Sequence, residues 1–248
     1  MYTFDSRVRY SEVDESGVLS LSSVINYMQD CSTFQSEDLG LGVRYLKEHR
    51  HVWLLHSWQI EIERQPALAE KISVSTWAYG FKGMYGYRNF AIDGEDGRLI
   101  KANSIWVFYD TDRKRPVKVT EDEVQGYGCY PRLDMEYAER KIAMPEGGEE
   151  REPFPVRQYQ IDTNGHVNNG QYIRMAQEFV PRSLKPVSLR AEYRKSAVYG
   201  DILYPVSAVT EGGCTVSLND AEGKPYVIAE FRERNDCAQN GCDMQVHV

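Results

Sequence analysis

The chain has 248 residues, 42% of them apolar, and a formal net charge of −8 at pH 7. That length holds one large domain or two small ones around a real buried core, and the negative charge argues against a general nucleic-acid binder. No apolar run is long enough to span a bilayer, the opening Met1-Tyr2-Thr3-Phe4-Asp5 has no signal-peptide pattern, and five scattered cysteines point to free thiols in a reducing compartment, the cytoplasm.

Tyr2 to Tyr10 alternates and predicts a strand, followed by a turn over Ser11 to Gly17. Leu21, Val24, Ile25 and Met28 have helical spacing, and the helix should run to near Leu39, where Gly40 stops it. Four strand patterns follow with short turns between them: Trp58–Glu63, Ile72–Trp77, Tyr85–Ile92 and Ser104–Tyr109. Short connections predict an antiparallel sheet. Arg132 to Pro153 is charged and broken by Gly and Pro, which reads as a linker. Beyond it the order starts again. A strand near Val156–Ile161 leads into a polar turn, then a helix carrying Tyr172, Ile173, Met175, Ala176 and Phe179, then strands at Val187–Lys195, Ile202–Val209, Thr215–Asp220 and Tyr226–Arg232.

Residue identities repeat as well. Asp162 follows Asp14 by 148 positions (162 minus 14), and Gly165 follows Gly17 by the same offset. At that offset Ile25 meets Ile173, Gln29 meets Gln177 and Asp30 meets Glu178, while Glu61 with Glu192 and Glu70 with Asp201 match at 131. The chain therefore reads as two copies of one α+β unit, each a strand, a central helix and four antiparallel strands, with the helix covering the apolar face of the sheet. The expected boundaries are 1–131 for the first unit, 132–153 for the linker, 154–234 for the second unit and 235–248 for a polar tail. Cys237, Cys242 and His247 in that tail fit no zinc spacing, so no metal is expected.

The copies differ at the turn before the helix. Asp162-Thr163-Asn164-Gly165-His166-Val167-Asn168-Asn169 is rich in carboxamides and carries an imidazole, whereas Ser16, Val18, Ser20 and Leu21 stand opposite Asn164, His166, Asn168 and Asn169. Asp162 and Gly165 suit a tight turn. Asn168 or Asn169 can cap the helix, whose N-terminus can hold a developing oxyanion. One unit thus has the scaffold without the functional groups, which predicts a single active centre.

Three motifs resemble the acyl-acyl carrier protein (acyl-ACP) thioesterases of the double hotdog fold. They are Asp162-x-Asn164-x-His166-Val167-Asn168-Asn169-x-x-Tyr172-Ile173…Glu178, the run from Tyr87-Arg88-Asn89-Phe90 through Asn103-Ser104-Ile105-Trp106-Val107 to Arg113-Lys114-Arg115-Pro116, and Glu192-Tyr193-Arg194-Lys195. The resemblance implies two tandem hotdog units, each a long central helix wrapped by an antiparallel sheet. It implies hydrolysis of the thioester joining a fatty acyl chain to the phosphopantetheine arm of ACP, with the acyl chain largely in the first unit and the catalytic groups in the second. It also implies Glu-Cys after the third motif, where this chain has Ser196 and Ala197.

No Gly-x-Ser-x-Gly occurs and no cysteine lies in the motif, so water is the expected nucleophile. His166 can polarise water or the carbonyl, and Asn164 can orient either by hydrogen bonds. With no carboxylate at Ser196, the base is Asp162, Glu178 or His166 itself; Ser196 can bind water in its place. The basic runs Arg113-Lys114-Arg115 and Arg194-Lys195 are candidates for docking acidic ACP. No protein-held cofactor is expected, and exposed sheet edges leave room for a homodimer. Two other readings compete: a thioesterase acting on acyl-CoA, and a non-catalytic acyl-binding module.

Overall fold

The structure, a computed structural model, describes residues 1–234. The first half runs β1 (Tyr2–Arg7), α1 (Leu21–Asp38), α2 (Val43–Glu48), β2 (His51–Ile62), β3 (Lys71–Lys82), β4 (Tyr85–Gly94), β5 (Gly97–Asp110), β6 (Arg115–Pro116) and α3 (Glu121–Tyr127). The second runs β7 (Glu149–Glu150), β8 (Phe154–Pro155), α4 (Asn169–Gln177), β9 (Ser188–Tyr193), β10 (Ile202–Thr210), β11 (Gly213–Asn219) and β12 (Pro225–Arg232). One antiparallel sheet takes in every strand, along the path β1-β3-β4-β5-β2-β9-β12-β11-β10-β7. With β8, which also pairs with β10, taken as the first strand of the second half, the order first, third, fourth, fifth, second holds in both halves up to the seam, where Ser57–Glu61 of β2 pairs with Ser188–Glu192 of β9.

Both longer helices lie on one face of this sheet. α1 buries Leu21, Val24, Ile25, Met28 and Cys31, the i, i+3, i+4, i+7 stripe that one helix face presents. Ser20 caps its start, its Oγ accepting from Ser23 N at 3.2 Å, and Gly40 at φ 71° follows its end. α4 buries Tyr172, Ile173, Met175 and Ala176. Trp58 and Ile60 of β2, Phe90 and Ile92 of β4 and Leu189 and Ala191 of β9 meet these helices in one continuous core spanning the seam.

The repeat extends to individual bonds. Val8 N donates to Glu70 O at 2.9 Å, and Val156 N to Asp201 O at 2.8 Å. Glu70 Oε2 accepts from Ala67 N at 2.8 Å, and Asp201 Oδ2 from Val198 N at 3.0 Å.

Three expectations need correction. The strands placed at Tyr2–Tyr10 and Val156–Ile161 are shorter: β1 ends at Arg7, β8 is two residues, and 3-10 turns at Tyr10–Glu12 and Gln158–Gln160 follow. Each turn is clamped by a side chain reaching back three residues, Glu12 Oε2 to Arg9 N at 2.8 Å and Gln160 Oε1 to Arg157 N at 2.7 Å, which competes with extension. The helices are also unequal, 18 residues in α1 against 9 in α4. Pro181 lies just beyond α4, and the residue before a proline disfavours helix.

The third concerns 132–153, which joins the two halves as the expected linker but is packed rather than free. Its first part crosses the sheet on the face away from the helices. Asn89 Oδ1 accepts from Leu133 N at 3.1 Å and Tyr137 Oη at 2.9 Å. Gln59 bonds Glu136 O at 2.7 Å and Ala138 N at 2.9 Å, and Glu192 Oε2 accepts from Ile142 N at 2.9 Å. These sheet residues alternate with core residues, so their polar groups face outward and satisfy the strap's backbone. Its far end supplies β7, which pairs with β10.

Candidate active site

The motif turn is built by its backbone and by Asp162. Asp162 Oδ1 accepts from Asn164 N at 2.8 Å and His166 N at 3.3 Å, and Asp162 N donates to His166 O at 2.7 Å. Gly165 sits at φ 78°, a conformation costly for any residue with a Cβ. The first copy makes the same turn. Asp14 Oδ1 accepts from Ser16 N at 2.9 Å and Val18 N at 3.4 Å, Asp14 N donates to Val18 O at 2.9 Å, and Gly17 has φ 79°. Asp162 therefore builds a frame that exists equally where no chemistry is expected.

The groups that differ between copies are the ones left available. Asn164 is exposed and His166 half-buried, and neither side chain has a hydrogen-bond partner among the described residues. Beside them lies the loop after β9. Val167 N donates to Ala197 O at 2.9 Å, and Ala197 N donates to the hydroxyl of Tyr172 at 2.7 Å. The structure thus brings Ser196 next to the motif, exposed, while Ala197 is fully buried. In the first copy Gln65 occupies the place of Ser196 and donates through Nε2 to Leu19 O at 2.9 Å; the serine is too short for that bond.

The start of α4 is tightly specified. Asn168 caps it, its Oδ1 accepting from Gly170 N at 2.8 Å. Asn169 Nδ2 donates to Gln29 Oε1 on α1 at 2.8 Å, and Asn169 O accepts from the hydroxyl of Tyr193 at 3.0 Å. Asn168 Oδ1 and Asn169 Nδ2 are therefore committed to structure, while Asn169 Oδ1 has no partner among the described residues. The backbone N–H of Asn169, at the positive end of the helix, has no partner among the described residues. Burial pushes the Tyr172 and Tyr193 phenols well up, so both stay neutral donors or acceptors, packed edge to face at 5.9 Å. Sequence reasoning quoted both tyrosines without assigning them roles, and read Gln29 only as a repeat match.

Glu178 is not brought to this place. It is the exposed C-cap of α4, about 15 Å along the axis from Asn168 at 1.5 Å per residue. The basic runs separate likewise. Arg113, Lys114 and Arg115 form an exposed hairpin tip, with Arg113 3.6 Å from Asp110. Arg194 turns to Glu192 at 3.1 Å and Ile142 O at 3.3 Å, and Lys195 pairs with Asp220 while lying 4.1 Å over the Tyr226 ring. Two surface hollows, one lined by Ser6–Tyr10 with Leu68 and Ala69, the other by Lys82–Tyr85, Tyr87, Ile105, Pro116–Lys118 and Arg140, include no residue of the motif turn. Among the described residues no His, Cys, Asp or Glu cluster could hold a metal, and no helix is long and apolar enough to cross a membrane. Cys237, Cys242 and His247 lie outside the described residues.

Two family models match the chain, the acyl-ACP thioesterase N-terminal domain over residues 1–127 and the acyl-ACP thioesterase C-terminal domain over 144–234. The chain belongs to the acyl-ACP thioesterase family. Among its relatives in that family is a chloroplastic acyl-acyl-carrier-protein hydrolase of Cuphea viscosissima, 26% identical over 253 residues, covering 88% of this chain and 61% of the relative. An oleoyl-acyl carrier protein thioesterase of Coriandrum sativum is 24% identical, covering 91% and 68%. This acyl-ACP thioesterase family member thus spans about three fifths of the first relative's length. Its hotdog-type α+β fold is shared with an acyl-ACP thioesterase from Bacteroides thetaiotaomicron, with TM-score 0.84, 24% identity and coverage of 93% and 96%. It is shared also with the 12:0-ACP thioesterase from Umbellularia californica, with TM-score 0.83, 19% identity and coverage of 94% and 93%.

Proposed function

We propose that the protein hydrolyses fatty acyl-ACP to free fatty acid and holo-ACP. The observation that carries this reading is the asymmetry of two otherwise matching turns: Asn164 and His166, whose side chains have no partner among the described residues, stand beside a helix N-terminus where Ser16 and Val18 stand in the other copy. Water adds to the thioester carbonyl as His166 takes its proton, and Asn164 orients water or substrate. The Asn169 N–H faces the developing oxyanion. The C–S bond then breaks, and the proton held by His166 passes to the thiolate of the phosphopantetheine arm. The exposed Arg113-Lys114-Arg115 tip is the better basic candidate for meeting ACP, because Arg194 and Lys195 are engaged internally.

With this reading go two tandem hotdog units, over 1–131 and 154–234, joined by the strap. The matching strand order and the matching Asp14 and Asp162 turns support them. The odd, scattered set of five cysteines supports placing the protein in a reducing compartment such as the cytoplasm.

Thiol release from matched acyl-ACP and acyl-CoA panels tests the proposal. Faster turnover of acyl-ACP is expected, with most of the rate lost in His166→Ala; a clear preference for acyl-CoA overturns the choice of carrier. A second reading, a non-catalytic acyl-binding module, is favoured by the absence of a carboxylate at Ser196. Tight acyl binding with no turnover on either panel would establish it instead.

A further inference from the structure

One contact between the two matching halves is made at one end only. Asn169 Nδ2 at the start of α4 donates to Gln29 Oε1 on α1 at 2.8 Å. The 148-residue repeat maps Gln29 onto Gln177 and Asn169 onto Leu21. The equivalent pair, Gln177 with Leu21, cannot make this bond, because Leu21 is apolar and buried. Of the two related helix–helix contacts, the amide bond therefore exists only at the end that carries Asn164 and His166.

α1 presses on the same turn at two further points. A Cβ on Gly170 would stand 2.7 Å from Asn26 Oδ1 and 3.3 Å from Ser22 O, so the first turn of α4 lies flush against α1. Asn169 is then held on its side-chain N–H by Gln29 and on its carbonyl by Tyr193. An amide is planar, so fixing Nδ2 on Gln29 also fixes where Oδ1 points. That oxygen and the backbone N–H of Asn169 have no partner among the described residues. One is an acceptor and the other a donor, the pair a hydrolytic site needs for orienting water and for holding an oxyanion.

We propose that Gln29, in the half without the motif, is a positioning residue for hydrolysis: it fixes Asn169 so that its free donor and acceptor face the thioester. The inference rests on the thioesterase reading. The first half thereby contributes to the rate of the chemical step.

The test measures kcat and KM on the best acyl-ACP substrate, with Tm as a record of folding. Gln29→Leu is expected to lower kcat by roughly tenfold to a hundredfold, the scale on which small misplacements act, with KM little changed. Gln29→Glu keeps an oxygen that can only accept and should retain most of kcat. Gln177→Leu removes the symmetry-related amide and should leave kcat at the wild-type level. Gln29→Met, close in volume, replaces Gln29→Leu if the latter folds poorly. Wild-type kcat in the folded Gln29 variant, or an equal loss in Gln177→Leu, overturns the proposal while the thioesterase reading stands. A wild-type protein that turns over no acyl-ACP removes both.

Discussion

The hydroxyl of Tyr172, in the motif helix, accepts the backbone N–H of Ala197 at 2.7 Å, and both residues are buried. This bond and the one from Val167 N to Ala197 O pin the loop after β9 to the motif from two sides. The loop carries Ser196, so its place against the motif is held in part by a phenol from the core.

Tyr172→Phe should therefore destabilise the protein by about 1–3 kcal/mol, the cost of leaving a buried N–H without an acceptor. Urea unfolding would read this as a lower midpoint at unchanged slope. The hydrolytic rate should fall further than stability alone explains, because Ser196 and the motif lose their common anchor.

Ser196 is exposed, one residue before Ala197, whose carbonyl is bonded by Val167 N next to His166, so a longer acidic side chain has room there. Ser196→Glu should raise kcat toward acyl-ACP, on the order of tenfold or more if general-base assistance is gained. An unchanged kcat in a correctly folded variant would show that the base resides in His166 or Asp162 already.

Glu123 gives a pH dependence. It is fully buried, its Oε2 accepts from Trp53 Nε1 at 3.1 Å, and Oε1 has no partner among the described residues. Burial raises its pKa above the ordinary 4.5. An acid raised in the folded state favours folding fully below its unfolded pKa and loses that contribution as pH rises through the folded value. Glu123→Gln keeps an acceptor for Trp53 and cannot ionise. Its stability relative to wild type should increase as pH rises above 4.5, then level off; chemical denaturation across that range would show a flat difference if Glu123 titrates normally.

The strap offers a further check. Asn89 is fully buried and its side chain bonds Leu133 N, Tyr137 Oη and Ala102 O. Asn89→Ala should cost about 2–4 kcal/mol from several unsatisfied buried groups. Limited proteolysis should then cut within 132–143 while the sheet stays intact; resistance equal to wild type would mean the other strap contacts suffice.

Much of this was legible in the chain. Period-two and helical patterns located α1 and the long strands, because a sheet with one buried face and a helix with one buried stripe leave those periods in the sequence. The 148-residue repeat separated frame from function, since Asp14 and Asp162 must build the same turn whatever stands between them. The composition of 132–153 marks a linker but not its packing, because Gly, Pro and charge look alike in a free linker and in a segment whose backbone is bonded by Gln59, Asn89 and Glu192 from distant strands.

By itself the sequence determined the family, the antiparallel sheet with its covering helices, and which half carries Asn164 and His166. The tertiary structure decided which named residues meet. It removed Glu178 to the far end of α4, engaged Arg194 and Lys195 elsewhere, and brought Ser196, Tyr193 and Gln29 to the motif. Local periodicity reports which face of an element is buried, but it carries no information on which distant side chain meets that face. That depends on the crossing of α1 over α4 and on the pairing of β2 with β9, contacts between residues more than a hundred positions apart.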